Sequence, residues 1–185
     1  MTANAAATVA PRIQASAGRS GPFLLLHLEH RIEGAQGGLV REGQDLIFRP
    51  PGSRLKHDKP SDPAERPPAP EFEREIQPDP LLLFRFSAVT FNAHRIHYDH
   101  PYATTIEGYP DLVVHGPLQA LLMLDLMHRN RPGQRIVSFN FRAERPAVLP
   151  APLKIRGRGE GEGVNLWIEQ GGRVVSRGRV EIEQA

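Results

Sequence analysis

Between Pro117 and His128 the apolar residues Leu118, Leu121, Leu122, Leu124, Leu126 and Met127 occupy almost the whole circumference of a helix. Such a helix is stable only when other elements enclose it. Asn130, Pro132 and Gly133 stop it. Strand patterns follow. Ile136 to Arg145 alternates, with Val137, Phe139 and Phe141 on one face, and Leu153 to Arg158 and Val164 to Gln170 come next. Val174 to Ile182 closes the chain after a Gly171-Gly172 hairpin turn. Gly157, Gly159, Gly161 and Gly163 lack the Lys-Ser/Thr and following helix of a phosphate loop, and so read as a strand bend or hairpin. A long apolar helix followed by consecutive strands predicts an α+β domain in which an antiparallel sheet wraps the helix.

Upstream the chain reads as four further segments. Phe23 to Ile32 and Gln44 to Arg49 are strand-like, with turn chemistry at Gly34 and Gly37-Gly38 between them, giving a hairpin over 23–50. Residues 51–80 read as an extended linker, because seven prolines fall in the 21 residues from Pro60 to Pro80. Order restarts at Leu81 to Phe91 as a buried segment, opening a domain over 81–185. Residues 1–22 are rich in Ala and Ser, with Arg12 and Arg19 and no acidic residue. That composition fits a mitochondrial transit peptide or an unstructured bacterial leader, and the Ala/Arg/Pro-heavy usage favours the leader.

Composition narrows the function classes. With no cysteine there is no disulfide framework, thiolate nucleophile or Cys-ligated metal. A net charge of +2 gives no reason to invoke nucleic acid. From Arg129 to Arg179, eleven Lys/Arg face four Asp/Glu, a bias that either attracts an anionic ligand or is a solvated sheet face. No apolar run reaches the roughly 18 residues of a membrane span. We therefore expect a soluble protein with no membrane partner, cytoplasmic, or mitochondrial if eukaryotic.

The chemistry concentrates in Phe84 to Asp99, where an apolar run leads into Asn92, His94, His97 and Asp99, and in Val113-Val114-His115-Gly116-Pro117-Leu118. An imidazole moves protons near neutral pH, and a backbone N–H at a helix N-terminus holds a developing oxyanion. Gly116 is placed to supply that N–H. His94 can share the pocket of His97 or brace the turn, Asp99 suits the N-cap of a short helix through Ala103 and Thr105, and His115 adjoins Gly116. Arg142 and Arg145 fall on opposite faces of the strand after the helix.

The segments Phe84 to Asp99 and Val113 to Met123 resemble the MaoC-like hotdog dehydratases, and within them the hydroxyacyl-thioester dehydratase type 2 and mesaconyl-C4-CoA hydratase group. The likeness spans roughly residues 80 to 127. It implies a hotdog fold over 81–185, with 23–50 as the hairpin remnant of a second, preceding hotdog unit. It also implies a hydro-lyase interconverting enoyl and 3-hydroxyacyl thioesters of CoA or acyl-carrier protein, needing no cofactor or metal. His97 is then the acid/base, Asn92 orients water or substrate, and the Gly116 N–H polarises the thioester carbonyl. From the residues themselves, His94, Asp99, His115 and Arg142 are taken as substrate-binding; for His115 the rival is a positional role, and for Arg142, as for Arg145, the choice is between a phosphate or pantetheine contact and a solvated surface. The broader family carries Asp where this chain has Asn92, and an amide is no base. Either His97 makes both proton transfers, or His94 or Asp99 shares them. A hotdog acyl-CoA thioesterase or a non-catalytic acyl-thioester binding protein is the alternative. A homodimer is expected, with the acyl pocket between subunits and His97 of one chain near helix 117–128 of the other.

Overall fold

The alternation Leu24, Leu26, Leu28, His30, Ile32 builds the middle strand of a sheet with unlike faces. This computed structural model describes residues 6–18, 21–35, 37–48 and 67–183, and the chain divides into two units, Met1–Ser53 and Arg54–Ala185. In the first unit β2 (Gly21–Glu33) lies between β1 (Ala6–Gly18) and β3 (Leu39–Phe48), all antiparallel. Register sets Ile13 beside Leu26 and Leu26 beside Leu46 on one face, and Arg12, His27 and Asp45 abreast on the other. Gly37, at φ +84°, makes the β2–β3 turn, where the Gly34 N–H donates to the Gly38 carbonyl at 2.7 Å.

The unstructured leader expected over 1–22 is corrected here, because 6–18 pair with β2 along their whole length. Only Val9 and Ile13 punctuate an Ala-rich run, so the strand is defined by its partner rather than by its own alternation. As an edge strand it tolerates Pro11. Residues 1–5 and, within the expected linker, 51–66 lie outside the described residues.

In the second unit a five-stranded antiparallel sheet runs in the order β4-β6-β7-β8-β5. Its strands are β4 (Phe72–Ile76), β5 (Ile136–Ala143), β6 (Leu153–Glu160), β7 (Gly163–Gln170) and β8 (Arg173–Ile182). Strand β4 corrects the linker reading. Phe72 to Ile76 is a proline-free island, and Phe72 covers Gly157, where an added Cβ would overlap its ring. Gly161, at φ +58°, turns β6 into β7. Gly171 and Gly172, both at positive φ, turn β7 into β8. Val137 does not share a face with Phe139 and Phe141. A bulge between Ile136 and Ser138 leaves Val137 57% exposed and half-buries Ile136 instead.

Helix α2 (Gly116–Asn130) packs on β6, β7 and β8. Met123, Leu126 and Met127 are buried within the cluster that includes Leu153, Ile155, Leu166, Ile168 and Val180. Each such side chain contributes about 1.5–3 kcal/mol. Gly178 admits the helix, since a Cβ there would come within 2.9 Å of Met123 Sδ and 2.7 Å of Phe139. Leu121 is exposed, so the enclosure of α2 is incomplete.

Leu81 to Phe91, expected as a buried segment, is largely the helix α1 (Pro80–Thr90), with Leu83 and Ser87 its buried residues. Asp79 caps it, its Oδ1 accepting from Leu82 N at 2.6 Å, with Pro80 in the first turn. Phe84, Val89 and Phe91 are exposed. Among the described residues no helix is long and apolar enough to cross a membrane.

Candidate active site

Phe91 ends α1 in the left-handed region at φ +53° and turns the chain back on itself. Asn92 Oδ1 then accepts from the His94 N–H at 3.0 Å, an Asx turn that aims the chain into one turn of 3₁₀ helix, Arg95–His97. Two backbone groups of Val113 hold that turn. Its N–H donates to the Ile96 carbonyl at 3.0 Å, and its carbonyl accepts from His97 Nδ1 at 2.7 Å.

A carbonyl can only accept, so the neutral His97 ring carries its proton on Nδ1. Nε2 is left with a lone pair, and among the described residues it has no protein partner. His97 is 7% exposed, and burial holds its pKa below the usual imidazole value, against the opposing hydrogen bond to Val113 and with help from His94. The ring is therefore uncharged near neutral pH, as a base must be.

His115 precedes α2 and is fully buried. Its ring stacks on His97 with centroids 3.6 Å apart and planes 18° from parallel. Its Nε2 lies 2.8 Å from Ser87 Oγ of α1, and Phe86 meets it edge-on at 4.8 Å. Burial, then His97 and His94, lower its pKa to about 3. His94 is exposed, its ring edge-on to His97 at 5.5 Å.

Gly116 opens α2, where its N–H has no acceptor within the helix. Among the described residues a methyl group there would meet only Phe141, at 3.8 Å. Close packing therefore does not explain the glycine.

Asp99 is turned to other tasks. Its Oδ2 accepts from Arg95 Nε and Nη2 at 2.9 and 2.7 Å, and its Oδ1 accepts from the Tyr102 N–H at 3.1 Å. The Arg95 hydrogen bond, then that of Tyr102, holds the carboxyl below its usual pKa. Arg95 also lies over the Tyr102 ring at 4.2 Å. Asp99 thus makes the expected N-cap, to the helical stretch that opens at His100 and runs into a π-helical turn, Tyr102–Ile106.

Arg142 is not brought to the imidazoles. It lies one residue after Phe141, which faces Gly116, and so it points to the opposite side of the sheet beside Arg177. There it lines a cavity of about 520 Å³ with Asn140, Asn165, Trp167 and Arg179. Arg145 lies beyond β5 and donates to the Val174 carbonyl. Among the described residues no group of three or more His, Asp or Glu is placed to hold a metal ion.

Sequence reasoning missed Ser87 and the Val113 carbonyl. Ser87 follows Leu83 by four residues on the buried face of α1, a faint signal for a polar group facing a site. His97 reaches the N-terminus of α2 within its own chain, without a second copy.

The sequence profile of the family described as hydroxyacyl-thioester dehydratase type 2 matches residues 8–149, beginning inside β1. Mesaconyl-C(4)-CoA hydratase from Chloroflexus aurantiacus is 44% identical over 157 residues, 83% of this chain and 54% of that protein. The mitochondrial hydroxyacyl-thioester dehydratase type 2 of Schizosaccharomyces pombe is 39% identical over 103 residues, 55% of this chain and 33% of that protein. The chain thus spans about half or less of the curated relatives it matches. A crystal structure of a MaoC-like dehydratase from Phytophthora capsici superimposes with a TM-score of 0.71 at 16% identity, covering 98% of this chain and 65% of that one. That likeness gives the fold, an antiparallel sheet wrapped on a helix. Taken with the profile match and the imidazole set against the α2 N-terminus, it makes this chain a member of the hydroxyacyl-thioester dehydratase type 2 family.

Proposed function

We propose that this chain carries the acid/base site of a hydro-lyase interconverting enoyl and 3-hydroxyacyl thioesters. The observation that supports this best is the 2.7 Å hydrogen bond from His97 Nδ1 to the Val113 carbonyl, which leaves Nε2 free as a base. In hydration, Nε2 takes a proton from water as the oxygen attacks the β-carbon, and returns it to the α-carbon as the enolate collapses. The Gly116 N–H holds the thioester oxygen while it is negative. Asp99 is committed to Arg95 and Tyr102, and His94 is exposed beside His97, so we assign both proton transfers to His97. Asn92, whose Oδ1 is used in its turn, offers its amide N–H to orient water.

Coenzyme A is the proposed carrier, with acyl-carrier protein an alternative carrier for the same chemistry. The name of the Chloroflexus relative points to a short branched dicarboxylyl thioester as the acyl group. We take 23–50, with the strand that precedes it, as part of a first hotdog unit. We also infer a homodimer, because β5 ends the sheet with an edge that a partner would cover. The compartment we assign is the cytoplasm, or the mitochondrion in a eukaryote. Incubation with crotonyl-CoA and with mesaconyl-C4-CoA tests the reaction. Loss of enoyl absorbance is expected, whereas release of free thiol would identify a thioesterase and defeat this reading.

A further inference from the structure

We propose that His115, held in place by Ser87, is a positioning residue for His97, an uncharged ring clamped on its face that sets the plane in which Nε2 is presented. The inference rests on the reading of His97 as the acid/base. Three elements converge to make the clamp: α1 brings Ser87, the residue before α2 is His115, and the 3₁₀ turn carries His97. His115 has no exposed surface, so it does not touch a substrate. What it touches is the His97 face, at 3.6 Å.

Such a clamp is needed because rotation about the histidine ring bond is soft. The hydrogen bond to Val113 fixes the direction of one ring nitrogen, and a flat contact restrains the plane about it. Ser87 Oγ, 2.8 Å from His115 Nε2, keeps the clamping ring from turning in its turn. The clamp also has to remain neutral, since two cationic rings in face contact would repel. The titratable groups facing His97 are His94 and His115, and those facing His115 are His97 and His94. Burial keeps His115 uncharged through the range in which His97 takes up protons. A proton received from water therefore stays on His97.

The test needs a readout that does not depend on turnover. In ¹⁵N-labelled chain, long-range ¹H–¹⁵N correlation reads the tautomer and titration midpoint of His97. These are compared in wild type, Ser87→Ala, His115→Ala and His115→Phe. Fluorescence of the buried Trp167 confirms folding. Wild type should show His97 as the Nδ1–H tautomer with a depressed midpoint. In Ser87→Ala and His115→Ala the tautomers should mix and the midpoint rise as water reaches the ring. Hydration of crotonyl-CoA should lose about 10- to 100-fold in kcat with KM little changed. His115→Phe, which keeps a flat apolar ring, should restore the wild-type midpoint and most of the kcat.

Wild-type tautomer and midpoint for His97 in folded His115→Ala would overturn the proposal. Should that variant not fold, Ser87→Ala, which removes one oxygen, decides in the same way. Turnover retained by His97→Ala would instead defeat the acid/base role of His97 on which the inference rests, and the spectra would still judge the clamp.

Discussion

Lowering the pH from about 7.5 to about 5 should destabilise the second unit by a calculable amount. His115 has a folded pKa of about 3, against about 6.5 in an unfolded chain. The unfolded chain therefore binds a proton that the folded chain refuses. Stability is complete above about pH 6.5 and falls with pH until the folded pKa is reached. At about pH 5 the preference is roughly 30-fold, or about 2 kcal/mol from this ring. His97, depressed by burial, acts in the same direction. Asp99 and Asp125, both held below the usual carboxylate pKa, begin to lose their contributions only under about pH 4. The imidazoles thus dominate the chosen window. The chain has one tryptophan, Trp167, which is 2% exposed and lies in the second unit. Urea unfolding followed by its fluorescence reads the relevant transition, in wild type and in His115→Asn. Whatever its own stability, His115→Asn should lose about 2 kcal/mol of the wild-type difference between the two pH values. An equal pH dependence in the two proteins would refute the reasoning.

Further expectations concern activity, packing and assembly. His97→Ala should lower kcat by on the order of 10² to 10⁴ with the Trp167 unfolding transition retained; steady-state kinetics with crotonyl-CoA measures it, and activity within a few-fold of wild type counts against His97. Gly116→Ala has room for its methyl group, so stability should hold while kcat falls at least about tenfold; full activity in a stable variant removes the oxyanion role. Gly178→Ala forces a Cβ against Met123 and Phe139 and should cost about 1–3 kcal/mol in urea unfolding; no loss would mean that α2 can move aside. Light scattering should give twice the 20.6 kDa chain mass for the active species; an active single chain would exclude the dimer.

The parts of the fold that could be read locally were those whose signals are local. Helix α2 announces itself by a spacing that leaves scarcely a polar face, and Gly171-Gly172 marks a turn that needs positive φ. β1 and β4 escaped because a strand paired along one edge needs little alternation of its own, and β4 also lay among prolines. Helix α1 was missed for another reason. An apolar run of this length has no period that separates strand from helix, although Asp79-Pro80 was a legible cap and first turn. In the site, the His97 segment and the helix opening at Gly116 were both visible. The resemblance implied their meeting, between subunits; that they meet within one chain, through side chains as far apart in sequence as Ser87 and His115, was not legible. The Asp99–Arg95 pair, four residues apart, was open to being read from spacing alone.

One feature of the site has an evolutionary consequence. The group that decides which nitrogen of His97 is basic is a main-chain carbonyl, and the same residue, Val113, ties the turn through its N–H. Substitution at 113 leaves that carbonyl in the chain, and only proline deletes the N–H. The hydrogen bond that sets the tautomer thus survives almost any substitution at 113 that keeps the backbone course. Ser87 and His115 act on the ring through their side chains and have no such protection.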